Sequence, residues 1–285
     1  MGRDRRRRRA RRLDRLPATT RRPPHRVSRP DGSPGVEAGG AATRSSVHPW
    51  TVERLHGPVS NLLATAEPPA TATRLARIHT VTRPALVLGS TQRPEAADEG
   101  RAADAGAEVL RRRSGGGAVL LRPGSQVWTD FFIPSSDPLW SDDVAYAAQW
   151  VGKLWSTVIE PFVAEPISVH SGRLVADRWG RLVCFAGSGP GEVFAGGRKV
   201  VGVSQRRTRQ RVRIQTTALL RHPPTAAAGP TDRIFDELEL LDITPADRAA
   251  GRAALEGRCD AIPATEADLT EALLGALEAQ ARDNR

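Results

Sequence analysis

Two stretches decide how this sequence is read: Arg111-Arg112-Arg113-Ser114-Gly115-Gly116-Gly117-Ala118-Val119 and, further along, Gly196-Gly197-Arg198-Lys199-Val200-Val201-Gly202-Val203-Ser204-Gln205-Arg206-Arg207. Three consecutive glycines let a backbone approach a ligand closely and turn several N–H groups toward one anion. Arginine suits bidentate recognition of carboxylate or phosphate. No Gly-Lys-Ser/Thr follows the glycines, so this is not a P-loop; alone it reads equally well as a flexible turn beside a solvated Arg cluster. In the second stretch a lysine stands between a glycine pair and an apolar strand. Regular alternation places Lys199, Val201 and Val203 on one face, opposite Val200 and Gly202. A buried ammonium there requires an anionic or carbonyl partner, whereas the plainer reading is a strand-edge lysine in solvent.

The lysine stands out because the chain is so poor in lysine. Of its 285 residues 42 are basic, yet only Lys153 and Lys199 are lysines. Where Lys persists among so much Arg, a compact ammonium is what the position needs. The net charge of +10 is also unevenly spread. Residues 1–48 hold 14 Arg against 4 acidic residues, and the rest of the chain holds 28 of each sign. A protein that tracks phosphate carries positive charge on its folded surface as well. The balanced body therefore argues against nucleic acid as a partner, despite the Arg-rich run Gln205–Arg213.

Cys184 and Cys259 form no Cys-x-x-Cys pair and no disulfide framework, which fits a reducing, cytoplasmic setting. No stretch approaches the roughly 20 apolar residues needed to span a bilayer, and no apolar run of secretory length follows the Arg-rich start. No metal is expected, because the histidines and cysteines lack metal-ligand spacing.

Outward from the two motifs the organisation is as follows. Residues 1–48, rich in Arg, Pro and Gly and without apolar periodicity, are expected to be a disordered arm. Residues 49–225 are expected to form the catalytic domain, and residues 226–285 a helical extension of it. Strands are predicted at Arg74–Val81, Ala85–Ser90 and Glu108–Arg112, with a hairpin of Ala118–Leu121 and Gln126–Ile133. Trp140, Val144, Ala147, Val151, Leu154 and Val158 recur at helical steps, with Ser141 as N-cap and Pro161 closing the helix. Further strands are predicted at Ile167–Val169, Leu182–Ala186, Glu192–Phe194, Arg198–Ser204 and Arg211–Leu220. Beyond Thr231 the pattern is helical, Thr265 capping a segment that lines up Leu269, Leu273 and Leu277. Grouped strands with interspersed helices give an α+β fold, a mixed sheet with flanking helices.

Together the two motifs resemble the catalytic domain of the lipoate–protein ligase A family, in the biotin/lipoate ligase and lipoyl/octanoyl transferase superfamily. The resemblance runs from about Trp50 to Leu220 and takes in Pro84-Ala85-Leu86-Val87-Leu88-Gly89-Ser90-Thr91-Gln92. It implies attachment of a lipoyl or octanoyl group to a lysine of a lipoyl domain through an acyl-adenylate. ATP with Mg²⁺ would be co-substrate, lipoate or octanoate the acyl substrate, and nothing would be bound permanently. The acceptors implied are lipoyl domains of 2-oxoacid dehydrogenase complexes or the glycine cleavage H protein. Carried over by position, Arg111, Arg112, Ser114, Gly115, Gly116, Gly117, Ala118, Val119 and Leu120 bind nucleotide and acyl group. Lys199 matches the family's central lysine, whose ammonium stabilises charge on the acyl carbonyl and on the departing phosphate.

Two departures keep a second chemistry in view. The family's His-Asp-x-Gly-Asn segment is replaced by Leu121-Arg122-Pro123-Gly124-Ser125, and the residues after Leu220 are expected to form a few helices rather than the ligase's separate C-terminal domain. The stretch Leu182-Val183-Cys184-Phe185-Ala186 is similar to the cysteine loop of octanoyltransferases, whose thiolate takes an acyl group from acyl carrier protein. The glycine loop weighs for the ligase and Cys184 for the transferase, with the ligase ahead; Cys184 reads otherwise as a small buried hydrophobe. A non-catalytic homologue that binds lipoyl domains is the alternative of another class.

Overall fold

The computed structural model describes residues 50–65, 67–68, 73–221 and 232–283. The predicted arm at residues 1–48 lies outside them. Along the chain the elements are β1 (Thr51–Gly57), α1 (Val59–Ala64), β2 (Leu75–Val81), β3 (Ala85–Leu88), α2 (Glu99–Asp104), β4 (Glu108–Arg111) and β5 (Val119–Leu121). They continue with β6 (Gln126–Pro134), α3 (Val144–Ala147), α4 (Gln149–Ile159), β7 (Ile167–Val169), α5 (Arg178–Leu182), β8 (Val193–Ala195) and β9 (Arg198–Arg207). The last are β10 (Arg211–Leu219), α6 (Asp232–Glu239), α7 (Pro245–Leu255) and α8 (Glu266–Asp283).

The fold is α+β. A large mixed sheet runs in the order β1-β2-β6-β10-β9-β8-β7, and a small one in the order β4-β3-β5. Among these strands β1–β2 and β3–β4 pair in parallel and the others antiparallel. Alternation along β6 explains the layering: Trp128 faces one apolar cluster, Val127, Phe131 and Ile133 the other. The first cluster fills the space between the large sheet and β3 and β5. The second packs the opposite face against α4 and α8, where Leu269, Leu273 and Leu277 are fully buried. Each such leucine contributes roughly 1.5–3 kcal/mol. Thr265 caps α8 as the sequence indicates, accepting from the Asp268 amide and donating to its carboxylate.

Several local expectations are corrected. Residues 118–121 and 126–133 make no hairpin: β5 pairs with β3, β6 with β2 and β10. The turn between them carries the chain from the small sheet into the large one. The long helix is two, α3 and α4, broken at Ala148, and the N-cap is Asp143, whose carboxylate accepts from the Ala145 and Tyr146 amides. Leu182–Ala186 is not a strand. Asp177 caps the short α5 through the Trp179 and Gly180 amides, and a tight 3₁₀ turn at Cys184–Ala186 follows.

The alternation proposed for Lys199 also fails, for an identifiable reason. Val193 pairs with Val201 and Phe194 with Lys199, so Val200 has no partner on β8. That extra residue is a β-bulge, which flips the side chains on one side of it. Val200 and Val201 both enter the α4/α8 cluster, while Lys199 turns to the face of Gly202, its Cε lying 3.6 Å from where a Gly202 Cβ would stand.

Candidate active site

The re-aimed Lys199 is 1% exposed and fully coordinated. Its ammonium donates to Cys184 O at 2.9 Å, to Gly187 O at 3.1 Å and to Glu192 Oε1 at 2.6 Å, and lies over the Phe185 ring. Glu192, buried as well, accepts from the Gly189 amide at 2.6 Å through Oε2 and from the Val203 amide at 3.3 Å through Oε1. The segment from Cys184 to Glu192 is thus wrapped around one ammonium. The sequence called for an anionic partner without naming it; the Gly189-Pro190-Gly191-Glu192 run just before a short apolar strand was the available signal.

The glycine loop is built by a second buried cation. Arg112 donates to the carbonyls of Val87 at 3.1 Å, Gly115 at 2.7 Å and Gly117 at 2.8 Å, so its guanidinium braces the loop from beneath. Arg111 and Arg113 are exposed. The loop's close approaches explain its glycines: a Cβ on Gly117 would collide with the Val183–Cys184 peptide, and one on Gly89 would lie 1.9 Å from Gly116 O. Gly116 has φ +97°, the left-handed region that favours glycine. The amides of Gly115, Gly116 and Gly117 find no acceptor among the described residues. Ser114 is buried, donating to Gln215 Oε1 at 3.0 Å and sharing a hydrogen bond with Ser204 Oγ at 3.1 Å.

Backbone pairing joins loop and lysine cage. The Ala118 amide donates to Leu182 O and the Cys184 amide to Ala118 O. Gln92 adds a tie the sequence did not assign, accepting from the Gly89 amide and donating to Leu182 O. Between them, between the two sheets, lies a small pocket. Its wall is mostly apolar, including Val87, Val119, Leu121, Trp128 and Phe185, with Arg112, Ser204 and Gln215 as polar members. Cys184 lines it and is half-buried. Of the predicted site residues, Arg112, Val119 and Cys184 line this pocket. Lys199 stands behind the wall formed by Cys184, Phe185 and Gly202. Ala118 and Leu120 are buried in strand pairing.

Beneath Trp128 lies a buried charged cluster. Asp130 accepts from Trp128 Nε1, meets His79 Nε2 at 2.8 Å and accepts from Arg213 at 2.6 Å. Burial pushes its carboxyl up, but the attraction and hydrogen bonds of His79 and Arg213 outweigh that and hold it well below the usual carboxylate range. The Arg-rich hairpin is largely engaged inside the chain: Arg206 pairs with Glu67, Arg207 stacks on Trp140, and Arg213 meets Asp130. Among the described residues no group of three His, Cys, Asp or Glu is placed to hold a metal, and no helix is long and apolar enough to cross a membrane.

The family model described as the lipoyl protein ligase A/B catalytic domain matches residues 63–225, more than half of the chain. The chain belongs to that family. It is accordingly an enzyme of the lipoate-ligase and lipoyl-acyltransferase superfamily. The solved lipoate-protein ligase A bound with ATP is similar at a TM-score of 0.58 and 13% identity, covering 82% of this chain and 93% of that one. The bipartite lipoate protein ligase studied with its E2 lipoyl domain from Thermoplasma acidophilum gives 0.57 and 14%, covering 81% and 91%. At these identities the likeness carries the shared fold alone. No curated protein matches the chain.

Proposed function

We propose that this family member moves a lipoyl- or octanoyl-type acyl group onto a lysine of a lipoyl domain, and that Cys184 carries the group in transit as a thioester. The observation that carries this reading is the placement of Cys184 on the wall of the apolar pocket, with the Lys199 ammonium on its own carbonyl. An apolar slot between sheets suits an alkyl chain, and a thiol at its wall suits nucleophilic transfer. The charge balance agrees. Lys199 is already matched by Glu192, so the cage adds little net attraction for a triphosphate or a free carboxylate, whereas a neutral thioester donor meets no repulsion there.

In the first step the Cys184 sulfur attacks the carbonyl carbon of an acyl thioester on a carrier protein. The carrier's C–S bond breaks, and its sulfur leaves with the electron pair and takes up the thiol proton. In the second, the amine of the acceptor lysine attacks the Cys184 thioester. The amide forms, the Cys184 sulfur departs, and the amine's proton returns to it. The pocket excludes water from the thioester between the steps.

One observation favours the ATP-dependent ligase as a second reading: the three amides of Gly115–Gly117 lack acceptors and stand near exposed Arg111 and Arg113, as an anion-binding loop requires. Mg²⁺ would then rest chiefly on the nucleotide's phosphates, since no carboxylate cluster awaits it among the described residues. Incubating the chain with a lipoyl domain and either octanoyl carrier protein or lipoate plus ATP, read by intact mass, decides. The expected result is transfer from the carrier, a hydroxylamine-labile adduct on Cys184, and loss of both in Cys184→Ser. ATP-dependent lipoylation retained by Cys184→Ser would overturn the thioester and install the ligase.

A further inference from the structure

Arg258 lies outside the residues that match the family, yet it touches the site from three directions. Its backbone carbonyl accepts from the Lys199 amide at 3.0 Å. One nitrogen of its guanidinium donates to Ala186 O at 3.3 Å and pairs with Asp177 Oδ2 at 2.9 Å. Asp177 is the N-cap of α5 and Ala186 closes the turn that begins at Cys184. Arg258 therefore grips both ends of the segment that carries the thiol, and the strand that carries the lysine. The Asp260 amide donates to Lys199 O, and the Asp260 carboxylate pairs with Arg198 at 2.8 Å. Isolated parallel bridges thus tie Cys259 to Lys199 at the start of β9 and Ile262 to Leu220 just past the end of β10.

We propose that Arg258 is a positioning residue for acyl transfer: it fixes the Cys184 turn relative to Lys199 and so sets where the thiol stands on the pocket wall. The carbonyls of Cys184 and Gly187 are held by Lys199, and that of Ala186 by Arg258. Without Arg258 the start of the turn keeps its anchors on Lys199 and on Ala118 O, but Ala186 O at its end is released, and Asp177 loses one of the partners that hold its carboxyl below the ordinary value, after the Gly180 amide and against burial. Misplacing a reacting group by about 1 Å costs up to about a hundredfold in rate. The side chain is partly exposed, so its removal leaves no large cavity.

This rests on the thioester reading, and its test keeps the two apart. The full chain and its Arg258→Ala and Arg258→Lys variants are compared in transfer from octanoyl carrier protein to a lipoyl domain. Separately, each is alkylated with iodoacetamide and the rate at Cys184 mapped by mass, buried Cys259 serving as the internal reference. Arg258→Ala is expected to lower kcat roughly tenfold or more while KM for the donor moves little, and to change the Cys184 labelling rate several-fold. Arg258→Lys, which keeps one donor for Ala186 O or Asp177, recovers part of both. Transfer and labelling within about twofold of the parent in Arg258→Ala would overturn the proposal. Should the parent chain transfer nothing from any carrier, the thioester reading falls, and the labelling rates alone decide whether Arg258 positions the turn.

Discussion

Lys199 and Arg112 are both buried cations that hold backbone carbonyls, and they build the two sides of one pocket in different ways. Lys199 is a point charge inside a shell of two carbonyls and a carboxylate. Arg112 is a planar fork gripping three carbonyls, and no carboxylate pairs with it among the described residues. The cage is neutral as it stands; the glycine loop is not. Under the proposed thioester reading, an anionic group on a substrate would be drawn to the glycine-loop side, leaving the cysteine side for uncharged chemistry. The contrast also accounts for a lysine in an Arg-rich chain, because a guanidinium could not sit within a shell that closes on one nitrogen.

The largest expected effect tests the role of the counter-ion. Lys199→Met leaves Glu192 buried without its cation and should cost about 3–5 kcal/mol of stability in urea unfolding. Adding Glu192→Leu should recover most of that. A double variant no more stable than the single one would mean that the carboxylate is not what separates the two sides. Arg112→Met removes hydrogen bonds to carbonyls but strands no charge, and should cost less, about 1.5–3 kcal/mol. A larger loss there than at Lys199 would break the comparison outright.

Asp130 gives a buried carboxylate paired with cations on both sides, and pH reads its worth. Its carboxyl is held low in the folded chain. The stability this confers is full above the ordinary carboxylate value and drains as pH falls below it, because the unfolded chain takes up a proton the folded one does not. The slope from one such group is about 1.4 kcal/mol per pH unit. Acid unfolding of Asp130→Asn should lack that component; an unchanged acid slope would show the pairing to be weaker than its geometry indicates. The smallest effect belongs to the other lysine. Lys153 is exposed on α4, and Lys153→Ala should stay within about 0.5 kcal/mol and leave acyl transfer unchanged.

What the sequence made legible follows from how local each signal is. The strand runs of β2, β6 and β10 and the leucine ladder of α8 are local patterns that tertiary contacts reinforce, and they lie where the residues indicate. The apolar run around Cys184 did not discriminate strand from turn, because the cap at Asp177 and the hold of Lys199 on the turn's carbonyls decide it from outside the run. The bulge at Val200 was invisible for a similar reason: it depends on the register with β8. Arg112 lines the pocket and also grips its own loop, a second role that residue type alone does not reveal. Glu192 was reachable in principle, since a buried ammonium demands an anion. Arg258 was not, because nothing in its neighbourhood of sequence points to a lysine so far upstream.

The bridged segment at residues 258–262 has a consequence for how the protein is made. On the ribosome it is synthesised about sixty residues after Lys199, several seconds later at roughly 5–20 residues per second. Until it arrives, the start of β9 shows open amides and carbonyls to its surroundings, the kind of edge on which nascent chains pair wrongly. The order of synthesis thus makes the lysine strand one of the last parts of the sheet to be closed. If Arg258 positions the thiol, a newly made copy acquires its thiol–lysine geometry only once that late segment has docked.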